Sequence, residues 1–135
     1  MICSVSFDVF LQAFERGDAA ERHGDEVRRL LLARSESEPA DGIVRLATRH
    51  GGADVHGIPD EGEPLTGLMF NHFTRDAYAT IVEVAQLADL VVMPIGCRIC
   101  VVRDSQREHL PENLTEDPVE LVQTGEDLEA VISMP

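Results

Sequence analysis

Two thiols three positions apart, in Cys97-Arg98-Ile99-Cys100, form the short stretch whose residue types best match a defined chemistry. In a thioredoxin-like redox site such a pair opens a helix after a strand, and the helix dipole lowers a thiol pKa. Here the pair enters Ile99-Cys100-Val101-Val102, a largely β-branched run that predicts a strand. Residues three apart on a strand point to opposite faces, so the sulfurs diverge. A zinc site needs a second pair of ligands at matching spacing, whereas Cys3 and the five histidines are scattered singly. Structural thiols are therefore expected, and a thiol or metal-binding protein using Cys97 and Cys100 stands third among the functional readings. Three cysteines, an odd number, in a short chain without a secretion signal also argue against a disulfide framework.

Asn71, His72 and Asp76 form a second constellation, where a predicted strand meets a predicted helix N-terminus. Backbone N–H groups there can hold an anion, and His72 can act as a general base if Asp76 orients it. The plainer reading has Asn71 and His72 making turn and capping hydrogen bonds. No serine or cysteine stands beside them, so a triad is not supported. Gly51-Gly52 and Gly96 are isolated turn glycines and not a phosphate-cradling loop. His50 and His56 flank one predicted hairpin on opposite faces, His23 falls in a loop, and His109 lies on the exposed side of a short helix. All 11 basic residues are arginine, which excludes Schiff-base chemistry. With no tryptophan and one tyrosine, Tyr78, stacking platforms for bases or sugars are poorly supplied. No metal and no cofactor are expected.

The charge is the stronger signal. Twenty-five acidic side chains against 11 arginines give a formal charge of −14 over 135 residues. Such a surface repels phosphate backbones and anionic lipid, so unaided binding to nucleic acid or membrane is disfavoured. Residues 104–135 hold nine of the acids against Arg107, a net of −8, while the first 103 residues carry −6. Glu112, Glu116, Asp117, Glu120, Glu126, Asp127 and Glu129 are therefore the candidate contacts for a basic partner. The plainer reading is that this acidity keeps a small domain soluble.

The elements that carry these side chains follow from hydrophobic periodicity. Residues 4–14 alternate as a strand with Val5, Phe7, Val9, Leu11 and Ala13 on the buried face; Phe10 and Phe14 on the other face call for a cover, a helix end or a second copy. Gly17-Asp18 breaks that strand, and residues 25–34 predict a helix. Residues 43–50 and 53–58 flank Gly51-Gly52 as a hairpin, with Arg49 opposite Asp54. After an acidic loop over 59–64, residues 67–73 predict a strand, with Thr74 as the N-cap of a helix whose stripe is Tyr78, Ile81, Val82, Ala85 and Ala88. Residues 90–95 and 98–103 predict a second hairpin, with Pro94 at a strand end or edge. A short helix over 104–110, a strand over 119–123, and a helix to Ile132 opened by a Thr124 and Asp127 capping box complete the chain.

The expected class is α+β in one domain over 1–135, with a mostly antiparallel sheet and helices on one face. The element order gives two β-α-β-β units followed by α-β-α. No apolar run approaches the roughly 18 residues of a membrane span, and a cytoplasmic location is expected.

The stretch Ser6-Phe7-Asp8-Val9-Phe10-Leu11-Gln12-Ala13-Phe14, followed by Glu15-Arg16-Gly17, resembles the start of a group of small uncharacterised bacterial proteins with the pattern S-F-D-x-F-L-Q-x-F-x-x-G. The likeness extends into 90–111, an apolar hairpin followed by a short helix ending in Leu110-Pro111. The resemblance implies bacterial origin and carries no catalytic residue across. The expected function is a non-enzymatic acidic interaction protein, an immunity or antitoxin-like inhibitor of a basic partner. The alternative is a small enzyme or ligand-binding domain using the Asn71, His72 and Asp76 corner. A homodimer would also cover Phe10 and Phe14.

Overall fold

A computed structural model describes residues 4–5, 8–36 and 38–134. In chain order the elements are β1 (Ser4–Val5), β2 (Val9–Glu15), β3 (Asp18–Ala20), β4 (Arg22–His23), α1 (Asp25–Ala33), β5 (Ile43–Ala47), β6 (Gly52–His56), β7 (Pro64–Leu65), β8 (Leu68–Asn71) and β9 (Phe73–Thr74). They continue with a 3₁₀ turn (Arg75–Ala77), α2 (Tyr78–Ala88), β10 (Val91–Pro94), β11 (Cys100–Val101), 3₁₀ turns at Asp104–His109 and Glu112–Thr115, β12 (Glu120–Leu121) and α3 (Gly125–Ile132). The main sheet runs β5-β6-β8-β2-β10-β11-β12, with β3 paired to β2. Its pairs are antiparallel except β11 with β12, so the fold is α+β with a mostly antiparallel sheet.

Alternation along the strands decides which face takes the helices. Val9, Leu11 and Ala13 of β2, Leu68 and Phe70 of β8, Ala53 and Val55 of β6, and Val44 and Leu46 of β5 join one core with Val27, Leu31, Ile81, Ala85, Leu128 and Val131 of the three helices. The predicted α2 stripe is buried throughout. Asp89 ends that helix in the left-handed conformation (φ 57°), a conformation that Asp tolerates better than most side chains. The Thr124 and Asp127 capping box opens α3 as expected, with each side chain bonded to the other's backbone N–H.

Several expectations change. Arg16 and Gly17 do not simply end the strand: both have positive φ (51° and 85°) and turn the chain into the β2–β3 hairpin. The β5–β6 hairpin pairs Ala47 with Gly52 and Arg45 with Asp54, so residues 48–51 form its loop and Arg49 is not the cross-strand partner of Asp54. The predicted strand over 67–73 is broken at His72, whose φ of 49° passes the chain from β8 to β9. Thr74 has the extended backbone of an N-cap but its side chain caps no helix N–H. The last strand pairs parallel to its neighbour.

The larger elements recur as β2-α1-β5-β6 and β8-α2-β10-β11. Their pairing differs, however: the hairpin strand next to the centre is the second one, β6, in the first unit and the first one, β10, in the second. Both β8 and β10 run antiparallel to β2, which lies between them, so α2 joins two parallel strands across a third.

On the other face of the sheet the segment 104–119 covers only one end. Val91, Val101 and Leu110 are buried there, with Phe14, Met93, Ile99 and Val119 packed against them. Phe14 thus finds its cover within the chain, while Phe10 remains 37% exposed. Among the described residues no helix is long and apolar enough to cross a membrane.

Candidate functional site

The uncovered part of that face carries two rows. Cross-strand pairing aligns Ile43, His56, Met69, Phe10 and Met93 in the first row. Two residues along, Arg45, Asp54 and Asn71 align in the second row.

The second row is a hydrogen-bond network. Arg45 Nη1 donates to Asp54 Oδ1 (3.2 Å) and to the His72 carbonyl (2.8 Å). His72 Nδ1–H donates to Asp54 Oδ2 at 2.9 Å, while its ring is 68% exposed. Burial pushes the Asp54 carboxyl up, but the bonds from His72 and Arg45 outweigh it and hold the group below the ordinary aspartate range. Asn71 Nδ2 donates to Asp8 Oδ1, which leaves Asn71 Oδ1 to accept from His56 Nε2–H at 3.1 Å.

The structure divides the predicted Asn71, His72 and Asp76 corner. Asn71 and His72 lie on the open face, but the carboxylate that orients His72 is that of Asp54. Asp76 instead accepts from the Thr48 hydroxyl, the Thr74 hydroxyl and the His50 N–H, which ties the 48–51 loop to the start of α2. Burial raises the Asp76 carboxyl, and those three bonds more than reverse it, so it too titrates low. Asp54 is four positions beyond His50 in sequence and reaches His72 only through the β6–β8 register, which no local pattern encodes.

The two cysteines stand in different surroundings, Cys97 half-buried and Cys100 buried. Cys97 sits in the turn after β10 and Cys100 in β11, and each sulfur bonds a different carbonyl, Ile95 and Arg98 respectively. Burial pushes Cys97 up and Cys100 further, to about 12, with the nearby Glu120 charge adding to the latter. Neither thiol has the depressed pKa of a nucleophile or metal ligand. Cys3 lies outside the described residues. Among the described residues no group of three or more His, Cys, Asp or Glu could hold a metal ion.

The seven acidic residues predicted to meet a partner fall into two sets. Glu120 pairs with Arg98 at 2.6 Å, Glu129 pairs with Arg75, and Asp127 caps α3. Glu112, Glu116, Asp117 and Glu126 are exposed and make no ion pair among the described residues. Glu112, Glu116 and Asp117 belong to the segment covering one end of the open face, whereas Glu126 opens α3 on the helical side.

Four clefts mark the surface of the described residues, two of them open and polar, along residues 21–25 with 62–64 and along Arg28, Leu32, Ser35, Glu36, Glu38 and Pro39. A small cavity of about 130 Å³ lies among Phe14, Arg22, Asp89, Val91, Gln106 and His109. A shallow groove of about 320 Å³, missed by sequence reasoning, runs along the open face beside Phe10, Gln12, His56, Gly57, Met69 and Met93. Gly57 shapes its end: φ is +92°, and a Cβ there would stand 2.6 Å from the Gly67 carbonyl oxygen. Its sequence signal was the apolar Phe10 on the polar side of β2, whose partners only register reveals. Comparison with family models, with curated proteins and with solved structures yields no match for this chain.

Proposed function

We propose that the chain is a non-enzymatic interaction protein that offers an acidic surface to a basic partner, in the manner of an immunity or antitoxin-like inhibitor. One observation carries the reading: the arginines do not neutralise the acids. Among the described residues, seven of the 11 arginines are engaged in ion pairs with six carboxylates, which leaves nineteen of the 25 acidic groups without an arginine. A field of that sign raises the encounter rate with a basic protein and penalises acidic competitors. The enzyme reading has less support, because Asn71, His72 and Asp76 serve separate bonds and line none of the clefts described above.

The test is capture of partners from the source lysate at low and high salt, followed by association kinetics with the purified partner. The expected result is a basic protein whose association rate falls roughly tenfold or more with rising ionic strength. Glu112→Gln, Glu116→Gln and Asp117→Asn together should lower the low-salt rate further. A rate indifferent to salt overturns the reading.

A further inference from the structure

We propose that the small cavity between the end of β2, β4 and the Asp104–His109 turn binds a small zwitterion of the α-amino acid class, of about alanine size. This inference stands independently of the basic-partner reading.

The cavity measures about 130 Å³ and is partly open to solvent. A cavity of roughly 150 Å³ takes a benzene ring, so an occupant here has about six heavy atoms. Among the described residues a single buried side-chain nitrogen lacks a hydrogen-bond partner, and it is Nε of Arg22, in the wall of this cavity. The rest of that guanidinium is loosely held: Nη1 donates to the Glu21 carbonyl at 3.3 Å and Nη2 to Asp89 Oδ2 at 3.4 Å. A cationic donor withdrawn from water without a partner is costly. The guanidinium edge that carries Nε–H also carries an Nη–H beside it, and the two together match the oxygens of a carboxylate. A further donor stands nearby. His109 Nδ1 accepts from the Arg16 N–H at 3.2 Å, which puts the ring proton on Nε2.

The wall opposite charge is also supplied. Glu15 lines the cavity and makes no ion pair among the described residues. Asp89 is a second carboxylate, held in place by Arg22, Arg103 and Gln106. Gln106 is only 6% exposed and is itself fixed, since its Oε1 accepts from the Val102 and Arg103 N–H groups. These bonds set the polar wall before a ligand enters. Charge then selects the occupant. A simple anion would meet Arg22 but also Glu15 and Asp89, in a molecule of net charge −14. A simple cation would meet Glu15 but leave the Arg22 Nε–H unanswered. A zwitterion satisfies both and brings no net charge, and Phe14 and Val91 give its short alkyl group an apolar wall.

The experiment titrates the full chain with L-alanine at constant ionic strength, with acetate, ethylammonium and L-phenylalanine as controls. Binding is read from the backbone amides of residues 14–22 and 104–110 and from the Arg22 Nε–H resonance. The expected result is a saturable shift of that resonance with alanine. Alanine should bind about tenfold more tightly than acetate or ethylammonium, each of which forfeits one charged hydrogen bond, and phenylalanine should be too large to enter. Glu15→Gln, at an exposed position, should leave the circular dichroism unchanged and weaken alanine about tenfold. Arg22→Lys, which lacks the Nε–H, should weaken both alanine and acetate. Acetate binding as tightly as alanine, or alanine binding indifferent to Glu15→Gln, overturns the zwitterion. No saturable shift of the Arg22 Nε–H with any of the four overturns the site and assigns that donor to water alone.

Discussion

Asp76 gathers three donors on one carboxylate: bonds of 2.6–2.8 Å from Thr74, His50 and Thr48 join the β5–β6 loop to the entrance of α2. A charged acceptor that loses its place leaves those donors unpaired, and each such bond is worth about 1.5–3 kcal/mol. Because the site is partly open to water, Asp76→Ala should cost about 2–3 kcal/mol in urea unfolding at neutral pH. The sign with pH is fixed by the depressed pKa. Such a group stabilises the fold above the ordinary aspartate value of about 3.9 and loses that contribution as pH falls through its folded-state value. The gap between wild type and Asp76→Ala should therefore be full at pH 7 and close in acid, and a gap that persists there would rule out the carboxylate as its source. Asp54 follows the same direction. At this scale the sequence disclosed His72 and Asp76 as polar residues at a strand–helix junction. It did not disclose that they face different partners, since, Thr74 apart, those partners lie 18 and 26–28 positions away.

Among elements, α3 is the clearest case of local encoding. Thr124 Oγ1 accepts from the Asp127 N–H at 3.1 Å, and Asp127 Oδ2 accepts from the N–H groups of Thr124 and Gln123. Removing that acceptor should cost about 1 kcal/mol, the usual cost of a lost cap. Asp127→Ala should therefore lower the urea midpoint, whereas Glu126→Ala, one residue earlier and unpaired, should leave it unchanged; equal effects would contradict the capping role. The same reasoning explains what could be read in advance. The α2 stripe, the cap of α3 and Pro94 at the end of β10 are short-range patterns, and each is found as expected. The hairpin loop over 48–51 was not legible, because Gly51-Gly52 suggests a two-residue turn and the longer loop is held by Asp76 from outside the hairpin. The groove was equally hidden: Phe10, Met69 and Met93 come from three strands far apart in sequence.

For the molecule as a whole, repulsion among the nineteen carboxylates that have no arginine partner among the described residues opposes compaction. The ion pairs are largely at the surface, where each contributes about 0–1 kcal/mol. Added salt screens both, and the surplus charge outweighs the pairs. Moderate sodium chloride should thus raise the melting temperature by a few degrees, as followed by circular dichroism; a fall would mean that the ion pairs dominate. The charge was legible from composition alone, whereas the order of strands was not. Strand β2 is the first of the central strands to be made, yet its neighbours are β8 and β10, with α2 arching from one to the other. On the ribosome it must wait. β3 pairs with residues 13–15 at once, but residues 9–11 lack one neighbour until Leu68–Asn71 has emerged and the other until Val91–Pro94 follows. The apolar stretch around Leu11 is thus left without its full set of strand neighbours while about 80 further residues are made.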